Sequence, residues 1–254
     1  MKTLSLYQPG TTVVHKIDVL TKLFFVLTAV LTVYISSSFS VILGVLALCI
    51  ILLLIGKILR RALPIVLVSA FVMLTILLIQ GLFFQGNETL LIKLGFLHFY
   101  REGLLYAVRI CLRILVIITA FSVFILTTNP ATLVAELEKS GLSPRFGYVV
   151  LSVLQIIPQM SATLSRIMDA QKSRALELDG NFLTRVRAFI PLMVPVVMDS
   201  LTSTRERSLA LEVRAFNSKK KKTYLYDEPK YRFNLVIRVV LVLALVAVIV
   251  GRLV

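Results

Sequence analysis

Ala170-Gln171-Lys172-Ser173-Arg174-Ala175 and Ala210-Leu211-Glu212-Val213-Arg214-Ala215 are two copies of one short unit, A-x-x-x-R-A, with arginines at 174 and 214, 40 residues apart. They lie in a polar-interrupted, helix-patterned region, about Tyr148 to Phe216, of an otherwise apolar chain. In a helix, residues four apart share a face. Each copy therefore sets a small alanine, Ala170 or Ala210, one turn before an arginine, with a second alanine, Ala175 or Ala215, directly after it. Small neighbours leave the guanidinium uncovered. A permanently charged planar fork near a helix end suits docking onto carboxylates or backbone carbonyls of another protein. A single copy is ordinary on any helix surface, and it is the duplication within one chain that makes the unit informative.

The surrounding composition sets the environment. The chain has 254 residues, 58% of them hydrophobic and only 16% charged, with a mean hydropathy of +0.92; this is an integral membrane protein rather than a soluble domain. The 28 Lys+Arg exceed the 13 Asp+Glu, giving a formal charge of +15. The basic residues sit in short loops between apolar runs, where they set membrane orientation, and this argues against a nucleic-acid partner. Cys49 and Cys111 both fall inside apolar runs and read as small buried hydrophobes, not as a disulfide or metal pair. His15 and His98 have no second ligand at a recognisable spacing, so neither reads as a metal ligand.

Upstream of the repeat, four apolar runs predict four membrane spans: Val19 to Ile35, Phe39 to Ile55, Leu63 to Phe84 and Gly103 to Leu126. The leader before Val19 is long and weakly basic, which favours a retained first span over a signal peptide cleaved near Ser36-Ser37-Ser38. Gly56 to Ala62, with Lys57, Arg60 and Arg61, reads as a basic cytoplasmic turn. Pro64 is expected in the first turn of the third span, where proline is tolerated. Gln85 to Glu102 reads as an external loop. The fourth run carries Arg109 and Arg113 one turn apart; at bilayer depth such a pair snorkels outward, faces protein or grips a partner.

After Thr127 the pattern changes. Asn129-Pro130 followed by Ala131 to Lys139 reads as a short capped helix that stops at Gly141. From Phe146, Val150, Leu154, Ile157, Leu164 and Met168 form an apolar stripe, against a polar one of Ser152, Gln155, Gln159, Thr163 and Arg166. The next segment, about Phe182 to Ala215, has similar character. Both predict long helices lying along the membrane interface or packed on another protein, kinked by Pro158, Pro191 and Pro195 and ending at the arginine units. The Lys219 to Lys222 tract reads as a headgroup anchor before a fifth span, Leu235 to Val250. The expected organisation is a four-span membrane domain over 1–128, a cytoplasmic helical domain over 129–218, and a basic segment with the last span over 219–254. The N-terminus is then cytoplasmic and the C-terminus external.

With its paired arginine units, Asp18-Val19-Leu20-Thr21-Lys22-Leu23 before the first span and Thr127-Thr128-Asn129-Pro130 after the fourth, the chain resembles, over nearly its whole length, the T component of energy-coupling-factor (ECF) transporters. These are membrane scaffolds of vitamin and transition-metal importers, with two Ala-Arg-Gly-type motifs at the ends of two long cytoplasmic coupling helices. The triplets here are Ser173-Arg174-Ala175 and Val213-Arg214-Ala215. Alanine stands where the family has glycine, so a sharp left-handed turn after the arginines loses support. The resemblance implies an all-α membrane protein with five spans and a layer of two long helices and one short. It further implies a non-catalytic, cofactor-free subunit that links two ABC-type ATPases to a separate substrate-binding S component. Arg174 and Arg214 would each enter a groove on one ATPase, with Ala175 and Ala215 allowing close approach.

Other function classes lack their chemistry. Gly81 and Gly86 have phosphate-loop spacing, but Asn87-Glu88 follow where Lys and Ser/Thr are needed to hold phosphate and magnesium. No H-E-x-x-H or G-x-S-x-G occurs, and no carboxylate pair inside the spans suggests a proton relay. A conventional ABC permease forming its own path as a dimer is the first rival, though one coupling helix per chain is its usual arrangement. The second rival, a lipid-handling membrane enzyme, requires an interfacial acidic or histidine cluster that the sequence lacks.

Overall fold

In hydrocarbon, every backbone N–H and C=O must find its partner within the chain, so apolar runs of this length become helices. The computed structural model describes residues 7, 10, 12–36, 38–84, 89–94, 97–174, 181–218 and 233–253, with 90–94, 97–99, 182–188 and 253 described by their backbone alone. The elements in order are α1 (Val13–Lys16), α2 (Val19–Ile35), α3 (Phe39–Ile55), α4 (Leu59–Phe83), β1 (Leu90–Leu94), β2 (Leu97–Tyr100), α5 (Arg101–Thr127), α6 (Pro130–Lys139), α7 (Pro144–Lys172), α8 (Phe182–Val213) and α9 (Asn234–Leu253). They fall into two units, one within Ser5–Ser140 and Pro229–Val254, the other within Gly141–Glu228.

The first unit is built on α2. Its buried positions Val19, Lys22, Phe25, Val26, Ala29 and Val33 recur at helical spacing. Phe25, Val26, Ala29 and Val33 pack with Ile42 and Cys49 of α3 and Val116 and Ala120 of α5 into one core. Hydroxyls inside this core turn back onto their own helices: Thr28 donates to the Phe25 carbonyl at 2.9 Å, Thr119 to Leu115 at 2.7 Å and Thr127 to Val123 at 2.7 Å. Both cysteines are free and buried, as their setting in apolar runs predicts.

At one end of the unit a buried cation ties the helices together. Lys22, only 5% exposed, sends its ammonium to the Thr127 carbonyl at 3.0 Å and to the His15 carbonyl at 3.4 Å. Thr127 is the last residue of α5, whose final carbonyls have no partner within the helix, so the lysine caps a helix end. Beside it, Arg238 of α9 pairs with Asp18 at 2.5 Å and donates to the Thr21 hydroxyl at 2.8 Å. Asn129 then caps α6, its side chain accepting from Ala131 N–H at 3.0 Å, and α6 packs on α2. Gly141 follows at φ +117°, so this short helix stops where its sequence predicts.

The sense of each packing fixes the crossings. Lys22 meets Thr127 and Ser36 meets Arg113, so α5 runs antiparallel to α2. Arg238 meets Asp18 and Thr21 while Arg252 reaches the Ile35 carbonyl at 3.0 Å, so α9 runs parallel to α2. α4, α5, α7 and α9 are long and apolar enough to cross a membrane, and α2 and α3 are shorter apolar helices. A lone crossing by α7 would deliver α9 antiparallel to α2, contrary to the observed pairing. Crossings by α2, α3, α4, α5 and α9, the five expected from the sequence, would give the parallel pairing of α9 with α2.

Two local features depart from the sequence reading, and one choice it left open is decided. α4 begins at Leu59, ahead of Leu63, so Arg60 and Arg61 lie in its first turn and Pro64 lies inside the helix. The cause is the end of α3: Lys57 takes φ 55°, and Lys57 and Ile58 N–H bond back to the Leu54 and Leu53 carbonyls at 3.0 and 3.1 Å. This buries Ile58 and turns the chain straight into the next helix. Within the expected loop, β1 and β2 pair antiparallel, from Leu90 opposite Tyr100 to Leu94 opposite Leu97. Arg109 and Arg113 face protein: Arg113 donates to the Ser36 carbonyl at 3.3 Å, and Arg109 lies over the Phe39 ring at 5.0 Å.

The parallel α2–α9 pairing predicts a labelling pattern. In a background with Cys49 and Cys111 replaced, Val13→Cys and Phe233→Cys should react with an impermeant maleimide from the same membrane face. Gly251→Cys should react from the opposite face. Phe233→Cys and Gly251→Cys labelled from one face would contradict the five crossings.

Candidate functional site

The second unit is a pair of long helices. Ser143 caps α7, accepting from Phe146 N–H at 3.4 Å, and Pro144 occupies the first turn, where its missing N–H costs nothing. Near the α7 start, Tyr148 packs against Phe216, just beyond α8, with ring centroids 5.1 Å apart. Further along, Arg207 hydrogen-bonds Gln159. These two contacts make α7 and α8 antiparallel. Between them a cavity of about 80 Å³ is lined by Gln159, Thr163, Asp199, Ser200, Ser203 and Arg207, among others.

The polar stripe read from the α7 sequence thus turns partly inward, through Gln159 and Thr163, and apolar side chains turn outward. Phe146, Val149, Val153 and Ile157 on α7, and Val194, Met198, Leu201 and Leu209 on α8, are all exposed. Among the described residues of α7 and α8, only Gly147 is buried. Two helices with no core between them cannot bury their own apolar surface, so this unit requires lipid or other protein against it. Arg185, Val186 and Arg187 lie where only the backbone is described.

Each arginine unit closes a helix. At the α7 end, Ser173 N–H and Oγ both bond to the Asp169 carbonyl at 3.1 Å, and Arg174 N–H bonds to Gln171 at 3.0 Å. Ala175 and the Lys219 to Lys222 tract lie outside the described residues. At the α8 end, Ala215 N–H bonds to the Glu212 carbonyl at 2.9 Å and Phe216 N–H to the Leu211 carbonyl at 3.0 Å, a Schellman closure. Ala215 itself takes φ 53°. The left-handed turn that alanine was expected to disfavour is therefore present. A non-glycine residue there costs about 1–2 kcal/mol; the two capping bonds and the Phe216–Tyr148 contact offset it, as the closure and buried Ile58 do at Lys57.

Arg174, Arg214, Ala170, Ala210 and Ala215 are all exposed. Among the described residues, neither arginine side chain makes a hydrogen bond or an ion pair. Both sit at the carboxyl end of a helix, where the dipole favours a cation. Arg214 lies two residues from Phe216 and so at the Tyr148 end of the pair. Arg174 is 26 residues beyond Tyr148, about 39 Å of helix at 1.5 Å per residue. The two units are thus held apart at opposite ends of the hairpin. Sequence reasoning missed Phe216 and Tyr148 as the residues that fix the α8 end; an aromatic directly after the second unit was the available signal.

The left-handed Ala215 yields a direct test. Ala215→Gly should slow amide hydrogen exchange at Phe216 by about fivefold, the equivalent of roughly 1 kcal/mol, and Ala215→Val should accelerate it. Exchange unchanged in both variants would contradict the closure.

The family model for CbiQ, described as cobalt transport protein, matches residues 10–225. The chain is 28% identical over 224 residues to the energy-coupling factor transporter transmembrane protein EcfT of Clostridium kluyveri, covering 84% of this chain and 83% of the relative. It is 28% identical over 227 residues to that of Staphylococcus aureus, covering 85% and 84%. With that of Listeria innocua the identity is 29% over 231 residues, covering 85% of each. The matched region takes in the Lys22 cap, the crossings from α2 to α5 and both arginine ends, and the chain belongs to the CbiQ family of transmembrane T components of energy-coupling-factor transporters.

Proposed function

We propose that this chain couples two ABC-type ATPases to a separate substrate-binding S component, driving uptake of a vitamin or a transition metal. The observation that carries this reading is the pair of exposed guanidiniums, Arg174 and Arg214, unpartnered among the described residues, at opposite ends of one helical hairpin. A single contact point needs one arginine end, whereas two ends about 39 Å of helix apart suit two sites on a paired ATPase. Each guanidinium enters a groove on one ATPase subunit, and the neighbouring alanines, Ala170 with Ala175 and Ala210 with Ala215, keep the approach open. The exposed apolar faces of α7 and α8 carry movement of the ATPases to the membrane-embedded partner. The substrate is bound by that partner, and ATP is hydrolysed by the ATPases, because this chain has no phosphate-loop sequence.

In this reading the N-terminus is cytoplasmic and α9 ends outside, in line with the basic residues at Arg60, Arg61 and Lys219 to Lys222. A conventional permease that docks through one coupling helix per chain leaves the second arginine end without a role.

Pull-down of the ATPases tests the reading. Arg174→Ala or Arg214→Ala should leave membrane insertion intact and weaken the complex by about thirtyfold to several thousandfold, the equivalent of roughly 2–5 kcal/mol for losing one partner of a desolvated charge pair. The double variant should not assemble. Lysine at either position should restore binding only in part, because an ammonium lacks the planar fork. Unchanged ATPase binding by the double-alanine protein would overturn the proposal.

A further inference from the structure

Three arginines that the proposed docking leaves unused gather where α2 ends, α3 begins and α9 ends. Arg113 donates to the Ser36 carbonyl at 3.3 Å and Arg252 to the adjacent Ile35 carbonyl at 3.0 Å. Arg109 lies over the Phe39 ring at 5.0 Å, and Arg113 over the Tyr34 ring at 5.9 Å. The aromatic rings and carbonyls hold the guanidiniums in place, but they neutralise no charge. Among the described residues none of the three has a carboxylate partner, and the Nε atoms of Arg109 and Arg113 are buried with no hydrogen-bond partner. Guanidiniums set among apolar helices, with donors left over, call for an anion.

The adjoining groove says which anion. It has a volume of about 460 Å³, and its lining includes the apolar Val41 of α3 and Ala247, Val248 and Gly251 of α9. The rest of the lining is polar: Ser36, Ser38 and Arg252. A groove lined by aliphatic side chains together with hydroxyls and a guanidinium, where α2 and α9 end and α3 begins, matches an amphiphile. We propose that this groove binds an anionic phospholipid, with its phosphate at Arg252, Ser36 and Ser38, in the field of Arg113 and Arg109, and an acyl chain along Val41, Ala247 and Val248. A bound lipid would then bridge α9 to α2 and α3 at the end opposite the Lys22 cap.

The test uses the full chain purified in a non-ionic detergent, with binding read by native mass spectrometry. The probes are dioleoyl phosphatidylglycerol, dioleoyl phosphatidylcholine and glycerol 3-phosphate. Phosphatidylglycerol should bind about tenfold more tightly than phosphatidylcholine, the scale of a charge-assisted contact. R252Q, which alters an exposed side chain, should bring the two lipids to within about threefold. A Cβ added at Gly251 meets nothing within 4 Å, so G251L should fold as the wild type does and should weaken both lipids by filling the groove. Glycerol 3-phosphate should fail to displace phosphatidylglycerol at a hundredfold excess. Equal binding of the two lipids by the wild type, or retained preference in R252Q, would overturn the proposal. Displacement by glycerol 3-phosphate would overturn it too, by assigning the site to a soluble anion.

Discussion

The membrane unit depends on one buried ammonium. Lys22 is 5% exposed, and its Nζ caps the end of α5 through the Thr127 carbonyl while also reaching His15. A lone cation in hydrocarbon is costly, and the unpartnered carbonyls at the end of a spanning helix are costly too; setting one against the other removes both penalties. The contact brings the start of the first span to the end of the fourth. Asp18 and Thr21, from the same turn, hold Arg238 and so place α9 parallel to α2. Asn129, two residues beyond Thr127, starts α6. The two stretches that carry the family resemblance outside the arginine units, Asp18 to Leu23 and Thr127 to Pro130, are therefore two halves of one joint.

The helical pair α7–α8 follows a different physical rule. Its seam is partly polar, with Arg207 on Gln159, and most of its large apolar side chains face outward. Such a pair cannot hold together by excluding water from a core of its own; its stability is borrowed from whatever covers it. That suits a coupling element, because a surface stabilised by its partners responds when the partners move. The capped ends are the rigid exceptions: the Schellman closure at Ala215 and the Tyr148–Phe216 stack fix the position of Arg214 while the helix faces stay uncovered.

Much of this was legible in the residues. The bounds of α2 and α3, the capped α6 and the arrest of both long helices at their arginine units follow from apolar run length, Asn-Pro and Gly signals and stripe periodicity. What escaped depended on tertiary context. The early start of α4 needs Ile58 to be buried, which no local pattern reveals. The β1–β2 hairpin was masked by its interspersed Lys93 and His98, although Leu90 to Tyr100 is rich in aromatic and aliphatic residues. Arg109 and Arg113 had two outlets of equal merit until the Ser36 carbonyl and the Phe39 ring fixed one. At Ala215, residue preference argued against a turn that two backbone bonds and an aromatic contact impose. For the candidate site, the sequence identified the arginines and their exposure follows from small neighbours, but their separation along an antiparallel pair emerged only from the packing of α7 on α8.

The central claim is that one chain engages two ATPases, one at each arginine end. It is tested most directly by placing a photoreactive benzoyl-phenylalanine at Ala170 and at Ala210 in the same chain, leaving Arg174 and Arg214 intact, and irradiating the assembled complex in its native membrane. The account predicts a covalent adduct of one chain with two ATPase subunits, and single-site proteins that each capture one. Double-site protein that never carries more than one ATPase, or an Ala170 and an Ala210 probe that both attach to the same subunit, would contradict it.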